Sequence, residues 1–118
     1  MVIRQGDLLW VDFGEAAGSG PSHVRPCVVI QNNLFNQSNI NTMVVCAVTS
    51  NMDRAQAPGN VLLHKNEANI PKKSVVNVSQ IYTVDKSDLK EQIGSLSAAK
   101  FREVLEGISL VLTPKQTD

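Results

Sequence analysis

Residues Thr42-Met43-Val44-Val45-Cys46-Ala47-Val48-Thr49 form an unbroken apolar run that stops abruptly at Ser50-Asn51. Such a run marks a strand covered on both faces rather than one with a wet side. The chain must therefore supply packing material above and below its sheet. One source lies near the C-terminus, where the hydrophobic period changes. Ala98, Phe101, Val104, Leu105, Ile108 and Leu112 recur at helical spacing, with Lys100, Arg102, Glu103 and Glu106 on the opposite side. Ser97 is placed to cap this helix and Pro114 to end it. Each large side chain on the apolar face contributes about 1.5–3 kcal/mol on burial, so the helix is expected to lie on the sheet.

The remaining elements are short. Leu8–Phe13 is rich in strand formers and is closed by Gly14. Gly14–Val24 is a loop of small and polar residues, and Pro26–Gln31 is the second strand. Asn32–Asn39 is polar, and holds either one helical turn through Leu34 and Phe35 or only a turn. A polar loop over 50–59 leads to a short strand at Asn60–His64, and Lys65–Lys73 is a charged loop containing Pro71. Ser74–Val78 and Ile81–Val84 are two strands interrupted at Ser79-Gln80, where a bulge would turn the chain around a corner. Asp85–Asp88 is a turn, and Gln92–Leu96 is the last strand. Six or seven short strands and one helix predict a mainly β protein, a small bent barrel with a C-terminal helix. Residues 1–114 read as one domain and 115–118 as a frayed tail.

The formal net charge of the 118 residues is zero. That argues against tight non-specific binding to duplex nucleic acid and leaves a short single strand held by specific contacts. Two cysteines, Cys27 and Cys46, sit inside apolar runs and read as small buried hydrophobes. His23 and His64 form no ligand spacing with them, so no metal site is expected. No signal-peptide core and no bilayer-length apolar run are present, and a cytoplasmic location is expected.

Three positions where strands meet loops stand out. Arg25 directly precedes Pro26, which favours an extended backbone and carries a guanidinium to the mouth of a strand. Thr49 ends the most apolar strand, and Gln80 is polar between two buried strands. Each has a plain structural reading: a salt bridge from Arg25 to Asp12 or Glu15, a turn cap at Thr49, a bulge residue at Gln80.

Taken in order, Gly6-Asp7-Leu8-Leu9-Trp10-Val11-Asp12-Phe13, Gly18-Ser19, Val24-Arg25-Pro26-Cys27-Val28-Val29-Ile30-Gln31-Asn32, Ala47-Val48-Thr49-Ser50 and Ser79-Gln80-Ile81-Tyr82-Thr83-Val84-Asp85-Lys86 resemble the MazF/PemK (Kid) family of toxin endoribonucleases. The resemblance extends through the closing helix. It implies an SH3-like barrel, a homodimer, and sequence-specific cleavage of single-stranded RNA without a metal or other cofactor. It also implies an antitoxin that lays an extended acidic segment along the RNA groove. Arg25 and Thr49 correspond to the family's catalytic pair. Ser19 and Gly20 in the loop, Ser50 with its neighbour Asn51, and Gln80 correspond to RNA-contacting positions.

The implied chemistry suits these residues. The 2′-hydroxyl attacks the adjacent phosphorus and leaves a 2′,3′-cyclic phosphate and a 5′-hydroxyl. Charge gathers on the non-bridging oxygens, which a planar guanidinium fork and a hydroxyl donor can stabilise. Arginine is a poor base. Where the family pattern carries a glutamate after the Gly-Ser of the loop, this chain has Gly20, and His23 is the candidate to share the acid/base role. Two other readings remain open on the residues alone: a CcdB-like protein that binds DNA gyrase without cutting RNA, and an RNA-binding module without catalysis.

Overall fold

The computed structural model describes residues 2–15 and 22–115. Six strands run in the order β1 (Asp7–Glu15), β2 (Ser22–Val29), β3 (Thr42–Thr49), β4 (Val61–Leu63), β5 (Ser74–Asp85) and β6 (Leu89–Ser95). A single helical turn, α1 (Asn33–Asn36), joins β2 to β3, and α2 (Ala98–Leu112) closes the chain. The strands form one antiparallel sheet, ordered β4-β5-β3-β2-β1-β6. It curls into a half-barrel, with β4 and β6 at its two ends. The ends are drawn together by backbone rather than by a ladder. A Cβ on Gly94 in β6 would lie 2.2 Å from the carbonyl oxygen of Ala68, in the short 3-10 turn that follows β4.

β3 is covered on both faces, as its composition requires. On one side Leu8, Val28, Cys46, Val48, Val76 and Val78 pack beneath Val104 and Ile108 of α2. On the other, Leu9, Val11, Cys27, Val29, Met43 and Val45 form a second core. Strand alternation assigns residues to these faces. Arg25 and His23 share the face of Cys27 and Val29, and Thr49 shares that of Val45, all opposite the helix.

Several strands differ from the sequence expectation, and β1 runs on past Gly14 to Glu15. β2 starts at Ser22, not Pro26, because it continues pairing with β1 through Val11↔Arg25, Asp12↔Val24 and Glu15↔Ser22. Arg25 therefore lies within a strand rather than at its mouth. Similarly β6 starts at Leu89, where it meets Val11.

The break at Ser79-Gln80 is a bulge within one continuous strand. The β3–β5 register moves from Cys46↔Ile81 to Val48↔Val76, so three extra β5 residues are accommodated there. Side chains satisfy the backbone groups that the ladder leaves free. Asn60 Oδ1 accepts from Val78 N–H at 2.9 Å, and the Cys46 thiol donates to the Asn77 carbonyl at 3.1 Å. Before the bend β5 pairs with β4 on one edge and β3 on the other, and after it with β3 alone.

In α2, Ser97 Oγ accepts from Lys100 N–H at 3.1 Å, the expected cap. The buried face is centred on Val104, Gly107 and Ile108, whereas Leu105 and Leu112 are exposed. Gly107 sets this rotation: its missing side chain lets the helix backbone rest on Gly59.

Candidate functional site

The β2–β3 ladder ends at Cys27↔Ala47. Continuing its register by two residues sets Arg25 opposite Thr49, on the same face, where the strands no longer pair. Pro26 sits at this parting and has no N–H to extend a ladder. A depression of about 260 Å³ opens here, lined by Arg25, Thr49, Ser50, Trp10 and Lys72 among others. The parted strands expose both faces, so Trp10 and Pro26 from the helix side also reach it. Arg25 borders a second depression of about 400 Å³, which Phe13, His23, Gln80 and Tyr82 complete. The guanidinium thus stands between two adjoining hollows.

Arg25 is exposed and, among the described residues, makes no ion pair. The Asp12 carboxylate is otherwise engaged, since Oδ1 accepts from Gly14 N–H at 2.8 Å. Thr49 is half-buried, and its Oγ1 accepts from Asn51 N–H at 3.1 Å. That contact fixes the oxygen and leaves the hydroxyl proton available to donate. Thr49 thus forms the small turn read from the sequence and still presents a donor beside Arg25. The Asn51 carboxamide caps the 3-10 turn Met52–Gln56 by accepting from Asp53 N–H at 3.0 Å, and it lines neither depression. Gln80 is exposed, and its Oε1 accepts from the Tyr82 hydroxyl at 2.5 Å. Ser19 and Gly20 lie outside the described residues.

The structure thus gathers Arg25, Thr49 and Ser50 at one hollow and Arg25, His23 and Gln80 at the next. The sequence reading missed Trp10, Phe13, Tyr82 and Lys72. Alternation of β1 puts Phe13 on the face of Leu9 and Val11, where it reads as core. Lys72 carries no local signal, because the fold of 65–73 brings it to the site.

Both cysteines are fully buried thiols. Burial pushes the Cys27 thiol up to about 12; nearby Cys46 adds to the rise and Arg25 opposes it. Burial alone pushes Cys46 up to about 12. Neither is a nucleophile at neutral pH. Among the described residues, no three His, Cys, Asp or Glu side chains come together as a metal-binding group, and no helix is long and apolar enough to cross a membrane.

The sequence matches, over residues 4–112, the family described as PemK-like, MazF-like toxins of type II toxin–antitoxin systems. Endoribonuclease MazF2 of Mycobacterium bovis is 39% identical over 112 residues, covering 95% of this chain and 98% of its own. Endoribonuclease MazF of Staphylococcus saprophyticus is 35% identical over 111 residues, covering 94% and 92%. The crystal structure of MazF from Deinococcus radiodurans (form I) has a TM-score of 0.74 at 26% identity, covering 95% of this chain and 97% of that one. A MazE–MazF crystal structure from the same organism (form III) gives 0.71 at 25% identity, with the same coverage.

Proposed function

This chain belongs to the family of PemK-like, MazF-like toxins of type II toxin–antitoxin systems, and from that membership we propose that it is a sequence-specific endoribonuclease cutting single-stranded RNA without a metal ion. The observation that carries the reading is the hollow where β2 and β3 part, which Arg25 and Thr49 both line. An RNA strand drawn across this parting lays one phosphate between a guanidinium fork and a hydroxyl donor. As the 2′-hydroxyl attacks, negative charge builds on the non-bridging oxygens, and both groups bind them more tightly than in the ground state. Lys72, in the same hollow, adds a point charge for the phosphate. DNA is spared because it lacks the attacking hydroxyl.

His23 takes the acid/base part. It shares the second hollow with Arg25, on the same strand and face, two residues away. Ser50 and Gln80 contact the RNA on either side of Arg25, and the family resemblance adds Ser19, Gly20 and Asn51 as RNA-contacting positions. The protein acts in the cytoplasm as a homodimer. It is held in check by a cognate antitoxin whose extended acidic segment competes with RNA for this groove. The gyrase-binding alternative is not favoured, since close relatives along almost the whole chain are named endoribonucleases.

The test is incubation of antitoxin-free protein with a mixed-sequence RNA in excess EDTA. Cleavage leaving 2′,3′-cyclic phosphate ends, lost in Arg25→Ala, is the expected result. Intact RNA with the wild-type protein across many sequences would overturn the proposal.

A further inference from the structure

Phe13 and Tyr82 meet edge to face beside Arg25, with ring centroids 5.0 Å apart and planes at 62°. Core packing does not account for Tyr82. Phe13 leans on the second core, but Tyr82 remains 39% exposed and lines the hollow shared by Arg25, His23 and Gln80. We propose that Phe13 and Tyr82 form a stacking platform for one nucleobase next to the scissile phosphate, and that Tyr82 sets the choice of that base by holding Gln80. This rests on the RNA-cleaving reading above and names the base-selecting part of the same site.

Two features carry it. First, unpaired RNA is recognised largely by stacking its splayed bases on aromatic rings, and every base offers a π-face. Tyr82 is braced from one side by the Phe13 ring, so it is pre-oriented rather than free to rotate. The hollow, about 400 Å³, falls within the range of small-ligand sites. Second, the Tyr82 hydroxyl donates to Gln80 Oε1 at 2.5 Å. With that oxygen engaged, the carboxamide presents its Nε2 hydrogens to whatever lies on the ring. A fixed donor favours a carbonyl at the base edge. The platform therefore prefers a keto base, uracil or guanine, over an amino base, cytosine or adenine.

The test uses two RNA probes. One is a randomised single-stranded pool whose cleavage ends are mapped. The other is an oligonucleotide carrying 2′-deoxy at the scissile position, which binds but is not cut. Tyr82→Ala is expected to weaken binding to the uncut probe about tenfold, by loss of one stacking contact. It should raise KM more than it lowers kcat. Tyr82→Trp is expected to restore affinity. Tyr82→Phe keeps the ring but releases Gln80, so the keto preference at one position beside the cut should flatten.

Unchanged affinity of Tyr82→Ala for the uncut probe would overturn the platform. A keto preference kept intact in Tyr82→Phe would overturn the role of the hydroxyl. A wild-type protein that cuts no RNA refutes the ribonuclease reading instead, and the binding measurements still decide the platform.

Discussion

Replacing Gly107 by alanine is expected to loosen the helix from the sheet. An alanine Cβ at this position would stand 2.1 Å from the Gly59 carbonyl oxygen, 3.0 Å from its carbonyl carbon and 3.0 Å from Val78 Cγ1. Relief requires a shift of about 1 Å, and the nearest atoms are backbone, so no side chain can swing aside. Overpacking of this kind costs about 1–3 kcal/mol, and a backbone obstacle puts it at the upper end. Against this, alanine in place of a helical glycine gains about 1 kcal/mol of propensity. The net loss is about 2 kcal/mol, or a Tm lower by about 6–12 °C for a chain of this size. Thermal unfolding followed by circular dichroism measures it, with Leu105→Ala on the exposed flank of α2 as a control that changes little. A Gly107→Ala protein melting at or above the wild-type temperature would refute the close-approach reasoning and leave helix propensity as the governing effect. The helix and Arg25 lie on opposite faces, so RNA cleavage well below the melting transition should persist.

Thr49→Val, which keeps the shape and removes the hydroxyl, should lower kcat about 10²-fold, and Thr49→Ser should recover much of it; equal rates for Val and Ser would remove Thr49 from the transition state. For His23, the rate of wild-type protein should change between pH 5.5 and 8 and that of His23→Ala should be flatter, whereas identical flat profiles would exclude the imidazole from proton transfer. Lys72→Ala should weaken RNA binding and reduce the slope of log affinity against log salt by about one phosphate contact, measured by titration at several salt concentrations; an unchanged slope would place Lys72 off the RNA. The two thiols make stability fall on the alkaline side. Their folded pKa of about 12 exceeds the reference value of 9.0, so the unfolded chain sheds protons first. Their contribution is therefore whole below about pH 9 and is lost as pH rises towards 12. Urea midpoints at pH 8 and 10.5 should converge in a Cys27→Ala/Cys46→Ala protein, and an undiminished difference would assign the loss to other groups.

The sequence carries its fold most clearly where a single period rules a long stretch. α2 runs from its Ser97 cap to Leu112 as the spacing predicts, and β3 occupies the apolar run residue for residue. The rotation of α2 was less accessible: Leu105 and Leu112 belong to the apolar stripe but stay exposed, because the backbone contact with Gly59, rather than the centre of that stripe, decides which side faces the sheet. Likewise the start of β2 depends on its pairing with β1, which composition alone does not contain, since His23 and Val24 look like loop. Within the candidate site, Arg25, Thr49 and Gln80 were legible because each is a polar residue at the start, end or break of an apolar strand. Phe13 and Tyr82 were not, because an aromatic in a strand looks like core until its neighbours across the sheet are known. Lys72 depends on a loop path that no local pattern encodes.

The backbone contact between Gly94 and Ala68 bears on how the protein avoids open-ended strand addition. An open sheet offers rows of free amide groups that can template addition of another chain, a hazard for any protein accumulating at high concentration. Here the turn after β4 folds across onto β6 and sets the Ala68 carbonyl against the face of Gly94, so the two ends of the curled sheet lie against each other instead of standing apart. A larger residue at 94 would push that turn away, and the first symptom would be insolubility, with catalytic groups still in place.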